Sequence, residues 1–234
     1  MKKYIFAKLC LLLAISFAVA MFTFCTKDDD SDGGGSNRGI AEPTITTDPG
    51  VKINGVTWAT RNVEDVGTFA DTPESPGCFF QWNRKTAWSA TTPEADIAIG
   101  EAGGWDNTVP EGTAWLKAND PSPLGWRIPT LDEIRSLLDT DKVSNEWITQ
   151  NGVVGRKFTD KTTNASLFLP AAGYRLRENG MLSNAGVYGF YWSSAQYEGY
   201  PGTHACSLYF EDSFAASWHG DNRHRGQLVR SVVE

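Results

Sequence analysis

The residues of this 234-residue sequence whose types could do chemistry are mostly aromatic. Between Asn83 and Pro123 the chain carries Trp88, Trp105 and Trp115 among frequent turn residues, with no sustained hydrophobic period. A structureless stretch of that length in a compact domain is unusual and often functional. Tyr197, Tyr200 and Trp218 fall in or beside expected loops nearer the C-terminus. A flat ring with a polar tip can stack on a sugar ring or anchor a protein partner, and Arg84, Asp106 and Asn107 supply hydrogen bonds beside such rings. The expected ligand-binding set is therefore Trp88, Trp105, Asp106, Asn107 and Trp115, with Tyr197, Tyr200 and Trp218. For any one of these rings the competing role is to cover the side of the core, as expected of Trp58, Trp82, Trp126 and Trp192.

Other chemistries leave weaker marks. A carboxylate pair for glycoside cleavage need only meet in space, and Asp106, Glu111, Asp132, Glu133, Glu198, Glu211 and Asp212 are candidates. None sits in a motif, and Asp132 and Glu133 read better as first-turn charges of a helix. His204, His219 and His224 lack a thiolate or ligand spacing that would make a zinc or copper site. The pairs Asp106-Asn107 and Asp221-Asn222 offer too few oxygens for calcium, which takes six or more. No phosphate loop or nucleophile elbow occurs. No catalytic residue, metal or cofactor is expected, and a net charge of −7 disfavours nucleic acid as a partner.

The elements that must position these residues read mainly as strands. Asn54-Gly55 accepts the positive φ of a type I′ turn between Val51–Ile53 and Val56–Ala59. Asn179-Gly180 repeats the signal between Tyr174–Leu176 and Met181–Leu182, and residues 155–159 pair with 166–169 around residues 160–164. Short strands follow at 189–194, 205–210, 214–218 and 226–233, with Cys206, Leu208 and Phe210 on one inward face. One helix has a start signal: Thr130 as N-cap and Glu133 at N3 form a capping box, and Ile134, Leu137 and Leu138 share a face. Asn145–Gln150 reads as a second, shorter helical turn.

The N-terminus gives an address. Lys2, Lys3 and Lys8 precede an apolar run from Leu9 to Phe24 that is too short for a stable span and stops at Cys25, before Thr-Lys-Asp-Asp-Asp. This resembles a bacterial lipoprotein signal, in which Cys25 is diacylated and becomes the mature N-terminus. The acidic run after it resembles the export signal that sends lipoproteins of Bacteroidetes-type bacteria to the outer face of the outer membrane. Ala18-Val19-Ala20 offers ordinary signal peptidase a rival site, giving a secreted or periplasmic protein, and Phe24 stands where the lipoprotein pattern wants a small residue. Of the four cysteines Cys10 leaves with the signal; lipidation of Cys25 then leaves Cys78 and Cys206 to pair in an oxidising compartment. The expected organisation is a signal peptide over 1–24, a lipidated disordered tether over 25–48 and one domain over 49–234.

Six strings in that domain carry a resemblance: residues 54–62 (NGVTWATRN), 79–84 (FFQWNR), 125–130 (GWRIPT), 169–175 (LPAAGYR), 189–194 (GFYWSS) and 229–232 (VRSV). Together they resemble the Fibrobacter succinogenes major paralogous domain family, common in surface lipoproteins of gut Bacteroidetes. The resemblance implies an α+β, C-type lectin-like fold: short twisted antiparallel strands and hairpins, one or two helices and long irregular loops. Members commonly carry cysteines where this chain has Ser122 and Ser231, a pair that staples the C-terminal strand to the core; Cys78 and Cys206 offer a different pairing here. The resemblance implies no general activity. The functional expectation is a surface-displayed, non-catalytic module that binds a glycan or protein ligand while anchored to the outer membrane by lipid. The alternatives are a structural or adhesive subunit of a surface fibre or envelope complex, and an enzyme acting on polysaccharide.

Overall fold

A computed structural model describes residues 47–91, 104–217 and 220–234, and in it strands dominate. Asn54 and Gly55, at φ 45° and 88°, turn β1 (Val51–Ile53) into β2 (Val56–Trp58) as the sequence predicts. Next come β3 (Phe80–Gln81) and β4 (Trp126–Arg127), then α1 (Leu131–Leu137). The strands β5 (Val143–Gln150), β6 (Val153–Asp160) and β7 (Ser166–Pro170) follow, then β8 (Tyr174–Arg175) and β9 (Leu182–Ser183). The chain ends through β10 (Gly189–Gln196), β11 (His204–Phe210), β12 (Ala215–Ala216), β13 (Gly220–Asn222), β14 (Gly226–Gln227) and β15 (Val232–Val233). They form four sheets, β1-β2-β15-β4, β3-β14-β8-β9, β5-β6-β7 and β10-β11-β12, with β13 also on β11.

The α+β, C-type lectin-like class implied by the resemblance gives way to a β-rich one, because the described residues hold one seven-residue α-helix against fifteen strands. That helix starts as predicted: Thr130 Oγ1 accepts the Glu133 N–H at 3.2 Å, and Glu133 Oε2 accepts the Thr130 N–H at 2.7 Å. The second helical turn expected at Asn145–Gln150 is strand β5. Asn151 and Gly152, at φ 47° and 83°, bring Gln150 opposite Val153, so a two-residue turn commits residues on both sides to a hairpin. The Asn179-Gly180 hairpin exists, but its register joins Arg175 to Leu182 through the loop 176–181, closed by Gly180 N–H to Leu176 O at 2.8 Å.

Period-2 alternation explains how so many short strands stay put. Phe79, Tyr191 and Leu228 enter one apolar cluster with Trp58, Phe158 and Phe210, while their neighbours Phe80, Trp192 and Val229 enter a second with Val63, Trp82 and Ile128. Strands buried on both faces fix the register from both sides. The alternation also decides the cysteines. Cys78 lies in the second cluster with Ala205; Cys206, one residue along β11, points to the opposite face with Leu208 and Phe210. The Cys78–Cys206 disulfide expected from cysteine parity is therefore absent: both are buried free thiols. The Cys78 Sγ meets Glu64 Oε1 at 3.8 Å and the Cys206 Sγ meets Gln196 O at 3.4 Å. Burial, with the Glu64 charge beside it, pushes the Cys78 thiol well up, and burial raises Cys206 too, so neither is a ready thiolate. At the two positions where the resembling family carries cysteines, Ser231 Oγ and Ser122 Oγ hydrogen-bond at 2.8 Å.

Candidate functional site

The expected binding loop is built from the inside out. Trp88 is 2% exposed in the main core and Trp115, 8% exposed, packs edge-on to Trp82 at 5.9 Å, so both rings face inward. Trp105 is half-buried, its ring 4.7 Å from that of Trp88 and its Nε1 donating to Arg177 O at 3.0 Å. Asn107, its amide turned to suit its neighbours, donates to Arg177 O and Glu178 O, each at 3.0 Å. Asp106 pairs with Arg84 at 2.6 Å. Trp105, Asp106 and Asn107 thus dock the loop onto the β8–β9 turn and onto Arg84 instead of offering themselves to a ligand. Tyr197 and Tyr200 do meet, at 6.2 Å between rings, with His204 5.0 Å from Tyr200. Trp218, Cys25, the signal and the tether to residue 46 lie outside the described residues, as does His219.

The same loop still encloses a cleft of about 760 Å³, lined by Asn83, Arg84, Thr108, Glu111, Leu116 and Asn119 among others. Its polar groups are largely committed. Asn83 Nδ2 donates to Glu111 O at 2.9 Å while its Oδ1 accepts from Leu116 N at 2.8 Å and Asn119 Nδ2 at 3.2 Å. Arg84 Nη1 donates to Gln81 Oε1 at 2.9 Å and Nη2 to Thr108 Oγ1 at 2.6 Å. Beneath lies Arg223, fully buried, 4.3 Å over the Trp82 ring and donating to Gly112 O at 2.7 Å and Pro110 O at 3.2 Å. Side-chain bonds to backbone carbonyls do here what a ladder does elsewhere.

A second cleft, of about 400 Å³, opens where the β10–β11 sheet meets β8. Alternation puts Tyr188 and Phe190 on one side of the chain, and Phe190 pairs in register with Tyr209 across β11. This is the face that carries Trp192 and Ala205 into the second cluster; beyond them the cover runs out, and Tyr188, Phe190 and Tyr209 line a surface opening instead. The ring centroids of Phe190 and Tyr209 are 4.8 Å apart, of Tyr188 and Tyr209 5.6 Å, of Tyr174 and Phe190 5.1 Å, and of Tyr209 and Phe214 5.4 Å. Phe214 is 41% exposed. The polar end is compact: Asp221 Oδ2 accepts from Arg225 Nη1 at 2.7 Å and Gln227 Nε2 at 2.9 Å, and the Arg225 guanidinium lies 4.4 Å over the Tyr174 ring. The Arg225 Nε has no hydrogen-bond partner among the described residues. Burial and the Glu211 carboxylate push the Tyr209 phenol above its ordinary value, so it stays protonated and donates to Glu211 Oε2 at 2.8 Å. The Ser213 and Tyr209 hydroxyls hold Glu211 below the usual carboxylate range.

None of the described residues expected to bind ligand lines either cleft. Of the expected loop rings, Trp88 is buried in the main core cluster with Trp105 packed against it, Trp115 is buried in the second, and Tyr197 and Tyr200 lie together outside both clefts. The aromatic cleft was not expected, since finding it needs the β10–β11 register: Tyr188 and Phe190 at i and i+2 were visible, their partner Tyr209 was not.

Residues 145–232 match a family described as a domain of unknown function, DUF8237. The matched stretch contains every residue that lines the aromatic cleft and none that lines the polar one. No curated protein and no solved structure matches the chain.

Proposed function

We propose that this chain is a surface-displayed lipoprotein whose β-rich domain is a non-catalytic binding module for a glycan. The observation that carries the reading is the aromatic cleft: rings from three separate chain segments, partly open to solvent, with one charged pair at their edge. Ligand sites combine mostly apolar and aromatic walls with a few placed polar groups in a cleft of about 300–1,000 Å³, and this cleft has that size and make-up. Stacked rings give contact area at low entropic cost, which suits a ligand of alternating C–H faces and hydroxyls. The sequence supports display, through the signal that ends at Cys25 and the acidic tether.

A glycan array probed with the purified chain tests this. Binding is expected to a subset of glycans and to fall when Phe214 or Tyr188, both at least partly exposed, is changed to Ala. An array with no binding at all overturns the reading. Globomycin treatment of the expressing cells tests the anchor separately: accumulation of the uncleaved precursor is expected, and normal cleavage assigns export to the Ala18-Val19-Ala20 site.

A further inference from the structure

Resting on the glycan reading of the aromatic cleft, we infer that its ligand is a neutral hexopyranose, selected against sugars bearing a carboxylate or sulfate. The charges make the choice. Among the described residues Arg225 is the one cation that lines the cleft, and Asp221 already neutralises it at 2.7 Å. At the other end Tyr209 holds Glu211, a second carboxylate. The remaining charges of the described residues around the cleft do not reverse this balance. Arg156, from β6, faces Glu211 and Asp212 and donates to Asp212 O at 3.3 Å, while Arg177 near Arg225 is paired with Glu178 at 2.5 Å. An anionic sugar would have to displace Asp221 from Arg225 and leave a carboxylate buried without its partner, since Asp221 is 7% exposed.

Hydrogen-bond types point the same way. The Asp221 carboxylate that lines the cleft only accepts, while the Arg225 Nε–H is buried. A sugar hydroxyl can donate to that carboxylate; a ligand carboxylate or sulfate accepts only and is repelled by it. The apolar side of a pyranose then lies against Phe214 and Tyr188, the more open rings of a wall backed by Phe190 and Tyr209. The cleft volume of about 400 Å³ is at the small end of the ligand range, which suits a short saccharide end.

Calorimetric titration of the full purified chain with lactose and cellotriose against 3′-sialyllactose and trigalacturonate tests the inference. At least one neutral probe is expected to bind roughly tenfold tighter than either acidic one. Asp221→Asn, which keeps the shape and removes the charge, is expected to narrow that gap by several-fold; near-UV circular dichroism confirms that the variant is folded. Tighter binding of the acidic probes overturns the inference and leaves the glycan reading standing. Binding of neither class overturns both. Neutral binding that Phe214→Ala leaves unchanged moves the site elsewhere and overturns the placement in this cleft.

Discussion

The cleft over residues 83–119 is nearly twice the volume of the one bordered by β8, β10 and β11, about 760 against 400 Å³, yet the two put their side chains to opposite uses. In the larger, Asn83, Arg84 and the buried Arg223 spend their donors on loop carbonyls and on the Gln81 and Thr108 side chains. In the smaller, Tyr174, Tyr188 and Phe214 stand at least partly open beside the buried rings of Phe190 and Tyr209, around an ion pair whose arginine keeps a buried, unpartnered Nε–H. Size therefore measures how far the loop stands off the sheets, whereas capacity for a ligand depends on which groups the fold has left unsatisfied.

The largest effect that could break this contrast is on the loop. Arg223→Ala removes several charge-assisted bonds to carbonyls and the cover on Trp82, leaving Pro110 O and Gly112 O without partners. A loss of about 3–4 kcal/mol in urea unfolding is expected. A loss below about 1 kcal/mol would show that the loop is held otherwise and that its polar groups are available after all.

Next in size is a gain. The Ser122 and Ser231 hydroxyls touch at 2.8 Å and line neither cleft. Ser122→Cys with Ser231→Cys is expected to oxidise spontaneously and raise stability by about 2–4 kcal/mol, since the bond closes a loop of over a hundred residues. Glycan affinity should stay within twofold of the parent; a larger change would mean that the aromatic cleft depends on how β15 is seated.

These two variants also separate what the sequence discloses from what it hides. Local signals read directly: the Thr130–Glu133 capping box and the Asn54-Gly55 turn each need only adjacent residues, and both form. Asn151-Gly152 carries the same turn signal and pairs Gln150 with Val153, whereas residues 145–150 alone, with only the adjacent Trp147 and Ile148 apolar, have no period to decide between a helical turn and a strand. Cysteine parity failed for a non-local reason. Whether Cys78 and Cys206 meet depends on which face of β11 looks toward β3, and that is set by two clusters assembled from distant segments. The site was hidden in the same way. Trp88 and Trp115 are turn-flanked in sequence and buried in space, while Tyr188 and Tyr209 lie in or beside strands and line a cleft.

The direct comparison of the clefts is a matched pair of substitutions. Phe214→Ala and Tyr188→Ala are each expected to weaken glycan binding by about five- to tenfold, the order of one stacked ring, with little change in melting temperature. Lys85→Ala and Glu111→Ala, on the polar cleft, should leave both binding and stability unchanged within error, as surface substitutions do. Equal losses from both sets would make the clefts parts of one surface.

The smallest effect tests how the polar cleft is latched. Burial works against the Asp106 charge, but the Thr108 hydroxyl and N–H, at 2.7 and 2.8 Å, together with the Arg84 guanidinium, outweigh it and hold the carboxyl below its ordinary value of 3.8. A carboxylate lowered in the folded state stabilises above its unfolded value and loses that contribution as the pH falls through the folded one. The latch should therefore be complete above about pH 5 and fade below about pH 4. Because the Asp106 side chain is 47% exposed, solvent screening limits the contribution to a few tenths of a kcal/mol, about. Amide exchange over residues 104–112 reads it locally: protection in the parent should drop on acidification, and Asp106→Asn should show the lower protection at both pH values. Exchange in β10 and β11 should not distinguish parent from variant. If it does, the loop and the aromatic cleft share one opening unit, and the larger cleft takes part in binding through its motion even though its side chains are already bonded.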